Sequence, residues 1–210
     1  MTIRYSTVGI VGTGAMGRGI AQIAAQAGST VQLFDLNPEA CRQAHAAITA
    51  QWDKLQDKGR IDAATADAYK TRLQTAASLG DLHNCDLVVE AAVERLDIKQ
   101  SLFAQLEDIV RPDAVLVTNT SSLSVTAIAA GLKRPAQFAG YHFFNPVPLM
   151  KVVEVIAGLK TDAAVCAGLT EYARQMGHTP VQAQDTPGFI VNHAGRAYGT
   201  EALRIVSEGV

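Results

Sequence analysis

His142 and Glu154 are the residues best suited to move a proton. His142 lies in a run of aromatic residues, where a histidine can equally be a core residue with satisfied hydrogen bonds. Glu154 lies in the apolar segment 151–156, where an unpartnered carboxylate would be costly to bury. On neighbouring strands, the carboxylate would fix the imidazole tautomer and stabilise its charged form while His142 exchanges the proton. An ion pair of Glu154 with Lys151 or Arg134 is the competing interpretation.

A glycine-rich turn follows the first predicted strand. Its sequence, Gly12-Thr13-Gly14-Ala15-Met16-Gly17, has the spacing G-x-G-x-x-G and precedes a predicted helix. The first glycine permits a tight turn, the second lets a pyrophosphate approach the backbone, and the third allows close packing of helix on strand. Unpaired N–H groups and the dipole at the helix N-terminus would hold the phosphates. The pattern predicts a dinucleotide site; a glycine turn without a ligand is the alternative.

Asp35 ends the second predicted strand, 18 residues after Gly17. A carboxylate at this position accepts hydrogen bonds from the adenosine ribose hydroxyls and repels a 2′-phosphate. The next three residues, Leu36, Asn37 and Pro38, offer no cation to a 2′-phosphate. The sequence therefore predicts NAD rather than NADP.

More polar residues follow other predicted strands at their carboxyl ends, where ligands bind to open parallel sheets. Glu90 and Glu94 follow one strand, with Lys99 a turn further on, and the run 119–122 follows the next. Ser121 in that run suits either a ligand contact or the N-cap of a short helix over 122–130, and the two roles are compatible.

Alternating strand-like and helix-like segments predict an α/β fold with a doubly wound sheet. The predicted strands cover 7–11, 30–34, 86–91, 114–118, 137–144, 152–156 and 179–182. The predicted helices between them cover 15–27, 95–110 and 162–176. A polar, alanine-rich stretch over about 38–71, broken at Gly59, predicts two antiparallel helices inserted after the second strand.

A break at 186–188, with the sequence Thr-Pro-Gly, precedes one long predicted helix over 189–206. We therefore expect a cofactor domain over 1–185 and the beginning of a second, helical domain over 186–210. Asn192 in this helix could direct its amide at a substrate oxygen or pack against a neighbouring element.

The composition and charge of the chain argue against several classes of binding partner. The chain has 210 residues, 48% of them hydrophobic, which is enough for a substantial core. Lys and Arg number 18 against 20 Asp and Glu, and this balance argues against nucleic-acid or anionic-membrane binding. No apolar run approaches the roughly 20 residues of a membrane span. We expect no signal peptide, because residues 1–6 show neither its apolar region nor its cleavage site. Dispersed Cys41, Cys85 and Cys166 predict buried, reduced thiols, no metal site and a cytoplasmic location.

Five blocks, in order along the chain, resemble the 3-hydroxyacyl-CoA dehydrogenases, a family that includes the 3-hydroxybutyryl-CoA dehydrogenases. They cover 12–21, 86–94, 119–123, 142–155 and 185–192. The blocks His-Phe-Phe-Asn-Pro from His142 and Thr-Pro-Gly-Phe-Ile from Thr186 are far more specific than the glycine motif. The resemblance implies a Rossmann-type, mostly parallel sheet and reversible NAD-dependent oxidation of an (S)-3-hydroxyacyl-CoA to the 3-ketoacyl-CoA.

The resemblance also implies a role for each matching position. His142 corresponds to the catalytic base and Glu154 to its partner, while Ser121 and Asn192 would contact the reacting oxygens. The implied NAD contacts are residues 12–17, Asp35, Ala91, Glu94, Lys99, Asn119, Ser121 and Asn145. Lys58 matches a contact to coenzyme A, with Lys54 one turn earlier as an alternative. The other interpretation is that Lys58 and Lys54 are ordinary solvent-exposed lysines without a ligand.

Family members continue past the position of Val210 into a helical domain that carries most of the dimer contact and closes over the substrate. The resemblance thus implies a truncated chain and a homodimer for the whole protein. Two alternatives stay open: a relative acting on free hydroxy acids, such as the gulonate dehydrogenase and lambda-crystallin type, and a non-catalytic NAD-binding module. The 3-hydroxyisobutyrate dehydrogenase type uses a catalytic lysine whose sequence context is not found here.

Overall fold

The computed structural model describes residues 3–210, in which eight strands form a single sheet of order β3-β2-β1-β4-β5-β6-β7-β8. All neighbouring strands are parallel except β6 and β7, which are antiparallel. The strands are Thr7–Val11 (β1), Thr30–Phe34 (β2), Leu73–Thr75 (β3), Leu87–Glu90 (β4), Val115–Thr118 (β5), Phe138–Phe143 (β6), Val152–Ala157 (β7) and Thr179–Gln184 (β8).

Helices cover both faces of this sheet. They are Ala15–Ala27 (α1), Pro38–Asp57 (α2), Ala63–Arg72 (α3), Leu96–Ile109 (α4), Val125–Ala129 (α5), Ala163–Gln175 (α6) and Val191–Ser207 (α7). Short 3₁₀ turns lie at Leu79–Asn84 and Pro135–Gln137. The predicted α/β fold with a doubly wound, mostly parallel sheet is confirmed.

Successive side chains of each strand point to opposite faces of the sheet, so each face has its own hydrophobic core. Val88 and Val89 are consecutive buried residues of β4, and each belongs to a different apolar cluster. The Val89 cluster includes Trp52 of α2, and the Val88 cluster includes Phe103 of α4. Burial on both faces is what a central parallel strand requires, and it explains the continuous apolar runs in the sequence.

The insertion after β2 folds as the predicted helical hairpin. Asn37 caps α2, and Gly59, at φ 64, lies where the chain reverses towards α3. Trp52 is fully buried, and its ring centroid lies 5.6 Å from that of Tyr69. The aromatic pair therefore packs α2 against α3, and Trp52 joins the hairpin to the core cluster on this face of the sheet.

Several predictions of detail need correction. The three-residue strand β3 was not predicted, because it is too short to show a pattern. The short helix after β5 is confined to α5, and its N-cap is Ser124 rather than Ser121. Cys41 and Cys85 are buried, and burial raises the pKa of the Cys85 thiol to about 12, whereas Cys166 is only half-buried. None of the helices in the described residues is long and apolar enough to cross a membrane.

Topology brings the polar segments to one edge of the sheet. Strands β1, β2, β4 and β5 are parallel, so the residues that follow them lie at the same edge. Strand β6 also ends there, and the antiparallel β7 starts there, with His142 directly opposite Glu154 in the register. Helix α7 begins at this edge too, because its first backbone N–H bonds Glu154.

Candidate active site

His142 and Glu154 form a buried hydrogen-bonded pair. Nδ1 of His142 lies 2.6 Å from Oε2 of Glu154, and the two side chains are 5% and 0% exposed. A carboxylate only accepts hydrogen bonds, so Nδ1 is the donor and Nε2 of a neutral ring carries the free lone pair. Nothing else within residues 3–210 bonds the imidazole, which leaves Nε2 available to a ligand.

The second oxygen of Glu154 is bound by the start of α7. Oε1 accepts the backbone N–H groups of Ile190 and Val191, each at 2.9 Å. Gly188 and Phe189 adopt positive φ values of 78° and 50°, and this turn directs the two amides at the carboxylate. Arg134, a competing partner in the sequence, instead pairs with Glu107. The buried carboxylate is thus fully partnered, as its burial requires.

Aromatic rings fix the imidazole plane. The ring centroid of His142 lies 4.5 Å from that of Phe144 and 5.6 Å from that of Phe189. These contacts leave the side chain of His142 5% exposed, facing a pocket of about 470 Å³. That pocket brings together nine of the candidate site residues: Met16, Ala91, Glu94, Lys99, Asn119, Ser121, His142, Asn145 and Asn192.

Glu94 holds the turn that carries Ser121. Its Oε1 accepts the Thr120 hydroxyl at 2.5 Å and the Ser121 backbone N–H at 2.9 Å. Partial burial opposes ionisation, but these bonds and nearby Lys99 outweigh it, so the pKa of Glu94 lies below its usual value. The anchored turn leaves the Ser121 hydroxyl at the pocket wall without a partner among the described residues.

Lys99 lies between two carboxylates at the floor of the pocket. Its Nζ is 2.5 Å from Oε1 of Glu90 and 3.2 Å from Oε2 of Glu94. Glu90 is fully buried and also accepts the Thr118 hydroxyl at 2.7 Å. Lys99 therefore pairs both with Glu94, which lines the pocket, and with the fully buried Glu90. A direct contact of Lys99 with NAD stays a prediction.

Three asparagines surround the same pocket. Oδ1 of Asn119 accepts the Phe143 N–H at 2.9 Å and so ties the end of β5 to β6. Nδ2 of Asn192 donates to the Ser121 carbonyl at 3.2 Å, which places its amide oxygen near the same turn. Asn145 lines the pocket from the loop after β6.

The glycine turn has the geometry that a dinucleotide needs. A Cβ on Gly12, at φ 94, would lie 2.6 Å from the Ala91 carbonyl, and one on Gly17 would lie 1.8 Å from the Gly12 carbonyl. Gly14 is the N-cap of α1 and supplies no capping side chain, and the space where its Cβ would be is open. Uncapped N–H groups therefore face open space, as a bound phosphate requires.

Asp35 stands where the ribose contact is predicted. It accepts the Thr13 N–H at 2.8 Å and hydroxyl at 2.9 Å, and the Asn37 N–H at 3.0 Å. Partial burial opposes ionisation, but these hydrogen bonds dominate and hold the pKa of Asp35 below its usual value. A fixed anion at the end of β2 agrees with the preference for NAD.

A cleft of about 820 Å³ runs from Asp35 towards the pocket at His142. Its walls are mainly apolar, which suits an adenine ring, and include Phe34, Leu79 and Leu102. Ala91 and Ala92 line both the cleft and the pocket, so the two are continuous. A dinucleotide held at Asp35 and the glycine turn would therefore reach the dyad.

Lys54 and Lys58 lie outside these cavities. Both are exposed at the end of α2, with no ion-pair partner among residues 3–210. Their predicted contact with coenzyme A stays a prediction. Nor do the described residues contain a cluster of three side chains that could hold a metal ion.

The sequence interpretation missed the backbone part of the site. The Ile190 and Val191 amides complete the site at Glu154. Glu90, by contrast, is recognisable in the sequence as an acid at a strand end. Backbone donors carry no such signal, because any residue other than proline supplies an N–H.

Comparison with known proteins places this geometry in a family. The model of the 3-hydroxyacyl-CoA dehydrogenase NAD-binding domain matches residues 7–186. A 3-hydroxyadipyl-CoA dehydrogenase of Escherichia coli is 45% identical over 210 residues, which are 100% of this chain and 44% of that protein. A probable 3-hydroxybutyryl-CoA dehydrogenase of Deinococcus radiodurans is 44% identical over 205 residues, covering 96% of this chain and 72% of that protein.

Solved structures give the same result. The crystal structure of (S)-3-hydroxybutyryl-CoA dehydrogenase from Ralstonia eutropha superposes with a TM-score of 0.93 at 38% identity. The match covers 99% of this chain and 73% of that one. The chain thus spans less than half of the Escherichia coli relative and about 70% of the other two proteins.

Proposed function

The chain belongs to the 3-hydroxyacyl-CoA dehydrogenase family, and on that basis we propose that the protein catalyses reversible NAD-dependent oxidation of (S)-3-hydroxyacyl-CoA to 3-ketoacyl-CoA. The observation that carries the proposal is the 2.6 Å bond between His142 and Glu154, with Nε2 directed to a pocket that continues into the dinucleotide cleft. A base beside a nicotinamide site is what oxidation of an alcohol requires.

His142 takes the hydroxyl proton at Nε2. The ring then becomes an imidazolium, and Glu154 at Nδ1 stabilises that charge. The two amides on Oε1 hold the Glu154 carboxylate in place beside the imidazole. NAD held at the glycine turn and Asp35 would supply the acceptor for the hydride of C3. General base catalysis of this kind is typically worth about 10²–10⁴-fold.

Ser121 and Asn192 orient the substrate. The Ser121 hydroxyl and the Asn192 amide reach one pocket and are linked through the Ser121 carbonyl. Hydrogen bonds from these groups would hold the C3 oxygen and the thioester carbonyl at the base. Glu94 contributes by fixing the Ser121 backbone, so that the hydroxyl needs little reorganisation when substrate binds.

The relatives described above are named for CoA esters, which supports an acyl-CoA substrate over a free hydroxy acid. Homodimer formation and a cytoplasmic location are part of the proposal. The proposal also divides the chain at residue 185, between the cofactor domain and a helical region that contains α7.

The test measures NADH oxidation by the complete protein, as its gene encodes it, with acetoacetyl-CoA and with free 3-keto acids. We expect turnover of the thioester and little turnover of the free acids. His142→Gln should lower kcat by about 10²-fold or more while calorimetry shows nearly normal NADH binding. Turnover close to that of the unaltered protein would refute the assignment of His142. NADH binding without any turnover would support a non-catalytic module instead.

A further inference from the structure

His178 is a buried histidine that the proposed chemistry does not use. It follows the turn at Gly177, which ends α6 at φ 73, and it is 4% exposed. Nε2 lies 3.0 Å from the Val147 carbonyl oxygen, and Nδ1 lies 3.2 Å from the Met176 carbonyl oxygen. A neutral imidazole has one N–H, and we place it on Nε2 because Val147 is the closer acceptor. This hydrogen bond joins two segments that are 31 residues apart in the chain.

The segment that His178 contacts is a wall of the active-site pocket. The His178 ring packs edge-on against Phe143, with centroids 5.6 Å apart and planes at 78°. Its contacts with Phe143 and Val147 therefore lie on either side of Phe144 and Asn145, which both line the pocket. Phe143 and Val147 also belong to the buried apolar cluster on this face of the sheet. His178 thus supports the wall from the core, and its own side chain does not line the pocket.

The wall has little other support from hydrogen bonds. Within residues 3–210, the bond from His178 is the only hydrogen bond that joins 145–150 to another segment. The Leu149 and Met150 amides bond the Pro146 carbonyl inside the same loop. Close packing of Gly19 on Val147 resists inward movement of the loop, since a Cβ on Gly19 would lie 2.7 Å from Cβ of Val147. Outward movement is therefore opposed mainly by the hydrogen bond from His178.

We propose that His178 is a positioning residue for the cofactor, which holds Asn145 at the pocket through the Val147 carbonyl. The proposal rests on the function proposed above, because the contact of Asn145 with NAD is part of it. A wall that is already ordered loses less conformational freedom when the cofactor binds, so the hydrogen bond should raise cofactor affinity. The bond between His142 and Glu154 does not depend on it, since strand register sets that pair.

The test compares two amides of different reach at position 178. The longer amide in His178→Gln can place an N–H where Nε2 lies and keep the bond to Val147. The shorter amide in His178→Asn reaches only the position of Nδ1, beside Met176, and loses that bond. Fluorescence titration of the complete protein with NADH should give about 3–10-fold weaker binding for His178→Asn and nearly unaltered binding for His178→Gln. If His178→Asn does not fold, His178→Leu replaces it, since leucine has no donor either.

A second histidine provides the control for stability. Nε2 of the half-buried His45 lies 3.2 Å from the Leu73 carbonyl, 28 residues away in the chain and outside the active-site pocket. His45→Asn should lower the temperature of thermal unfolding, as His178→Asn does, but leave NADH affinity unchanged. Equal loss of NADH affinity in both variants would show a general effect of stability and would refute the proposal.

A double-mutant cycle tests whether the effect passes through Asn145. In the Asn145→Ala background, His178→Asn should change NADH affinity by less than about twofold, because the side chain that the wall presents is then absent. Equal losses with and without Asn145 would refute the proposal, as would full affinity in His178→Asn or an equal loss in His178→Gln. Oxidation of (S)-3-hydroxybutyryl-CoA is measured separately. NADH binding without oxidation by the unaltered protein would contradict the proposed function, while the cycle would still decide the role of His178.

Discussion

Glu154 accepts hydrogen bonds from two different parts of the molecule, His142 on the adjacent strand and the first amides of α7. The antiparallel pairing of β6 and β7 puts the two side chains directly opposite each other, on the same face of the sheet. The register of β6 and β7 therefore brings His142 and Glu154 together. The backbone N–H groups at the start of α7 then bind the Glu154 carboxylate.

Glu154→Gln is expected to lower kcat by about 10²–10⁴-fold. If the glutamine oxygen accepts the Ile190 and Val191 amides, its NH₂ group faces Nδ1 of His142 and selects the tautomer with a protonated Nε2. That ring cannot accept the substrate proton. Steady-state kinetics of (S)-3-hydroxybutyryl-CoA oxidation measure the effect, and circular dichroism checks that the fold is unchanged. Glu171→Gln, on the exposed face of α6, is the control, and equal kcat values for both variants would contradict the prediction.

Sequence patterns predicted the elements with a local signal. The bounds of β1, α1 and β2 agree with the structure at every end, because a β-branched run, a glycine turn and Gly28 delimit them. The dyad could be proposed because a carboxylate in an apolar strand needs a partner. The backbone amides at Glu154 were beyond prediction, since they depend on the start of α7 meeting β7, 36 residues earlier in the chain.

The choice between NAD and NADP should depend on Asp35. Replacing Asp35 by Ser and Leu36 by Arg removes the anion that repels a 2′-phosphate and adds a cation to receive one. We expect the ratio of NADPH to NADH affinity to rise at least about tenfold, a gain of roughly 1.4 kcal/mol. Fluorescence titration with both cofactors measures it. The single variant Asp35→Ser should give only part of the change, and an unchanged ratio in the double variant would argue against this role of Asp35.

Lys99→Met should destabilise the fold strongly. The change leaves the fully buried Glu90 carboxylate without its counter-ion, and breaking a buried pair in this way costs about 3–5 kcal/mol. Adding Glu90→Gln should recover part of the loss, because the unpaired charge is then gone. Lys70→Met breaks the solvent-exposed pair with Asp53 and should cost less than about 1 kcal/mol. Urea unfolding measures all three, and similar losses for Lys99→Met and Lys70→Met would contradict the buried-pair argument.

Asp185 gives a stability contribution that depends on pH. Its carboxylate accepts the Ser124 hydroxyl and the Val125 and Thr126 amides at the start of α5. Partial burial opposes ionisation, but these bonds outweigh it and hold the pKa of Asp185 below its usual value. A lowered folded-state pKa stabilises the protein above the unfolded value of about 3.9, and this stabilisation is lost as the pH falls through the folded-state pKa.

Asp185→Asn should therefore lower the free energy of unfolding at pH 7, and the difference from the unaltered protein should shrink under acid conditions. Urea unfolding at neutral pH and below about pH 4 provides the comparison. Asp57→Asn on the exposed end of α2 is the matched control, for which we expect little difference at either pH. A constant difference for Asp185→Asn across this range would show that its effect is not electrostatic.

Gly188→Ala should reduce activity through the backbone rather than through a side chain. Gly188 has φ 78, and an added Cβ would lie 3.0 Å from the His193 backbone nitrogen. An alanine is strained there by about 1–2 kcal/mol, and relief of that strain moves the amides that bind Glu154. Both kcat and the free energy of unfolding should therefore fall.

The matched control for Gly188→Ala is Gly199→Ala on α7, where a Cβ meets open space. An alanine inside a helix is more stable than glycine by roughly 0.5–1 kcal/mol, so this variant should be at least as stable as the original and equally active. Thermal unfolding and acetoacetyl-CoA turnover of both variants give the comparison. If Gly188→Ala lost stability but kept full kcat, the amides of Ile190 and Val191 would stabilise the fold without contributing to the dyad.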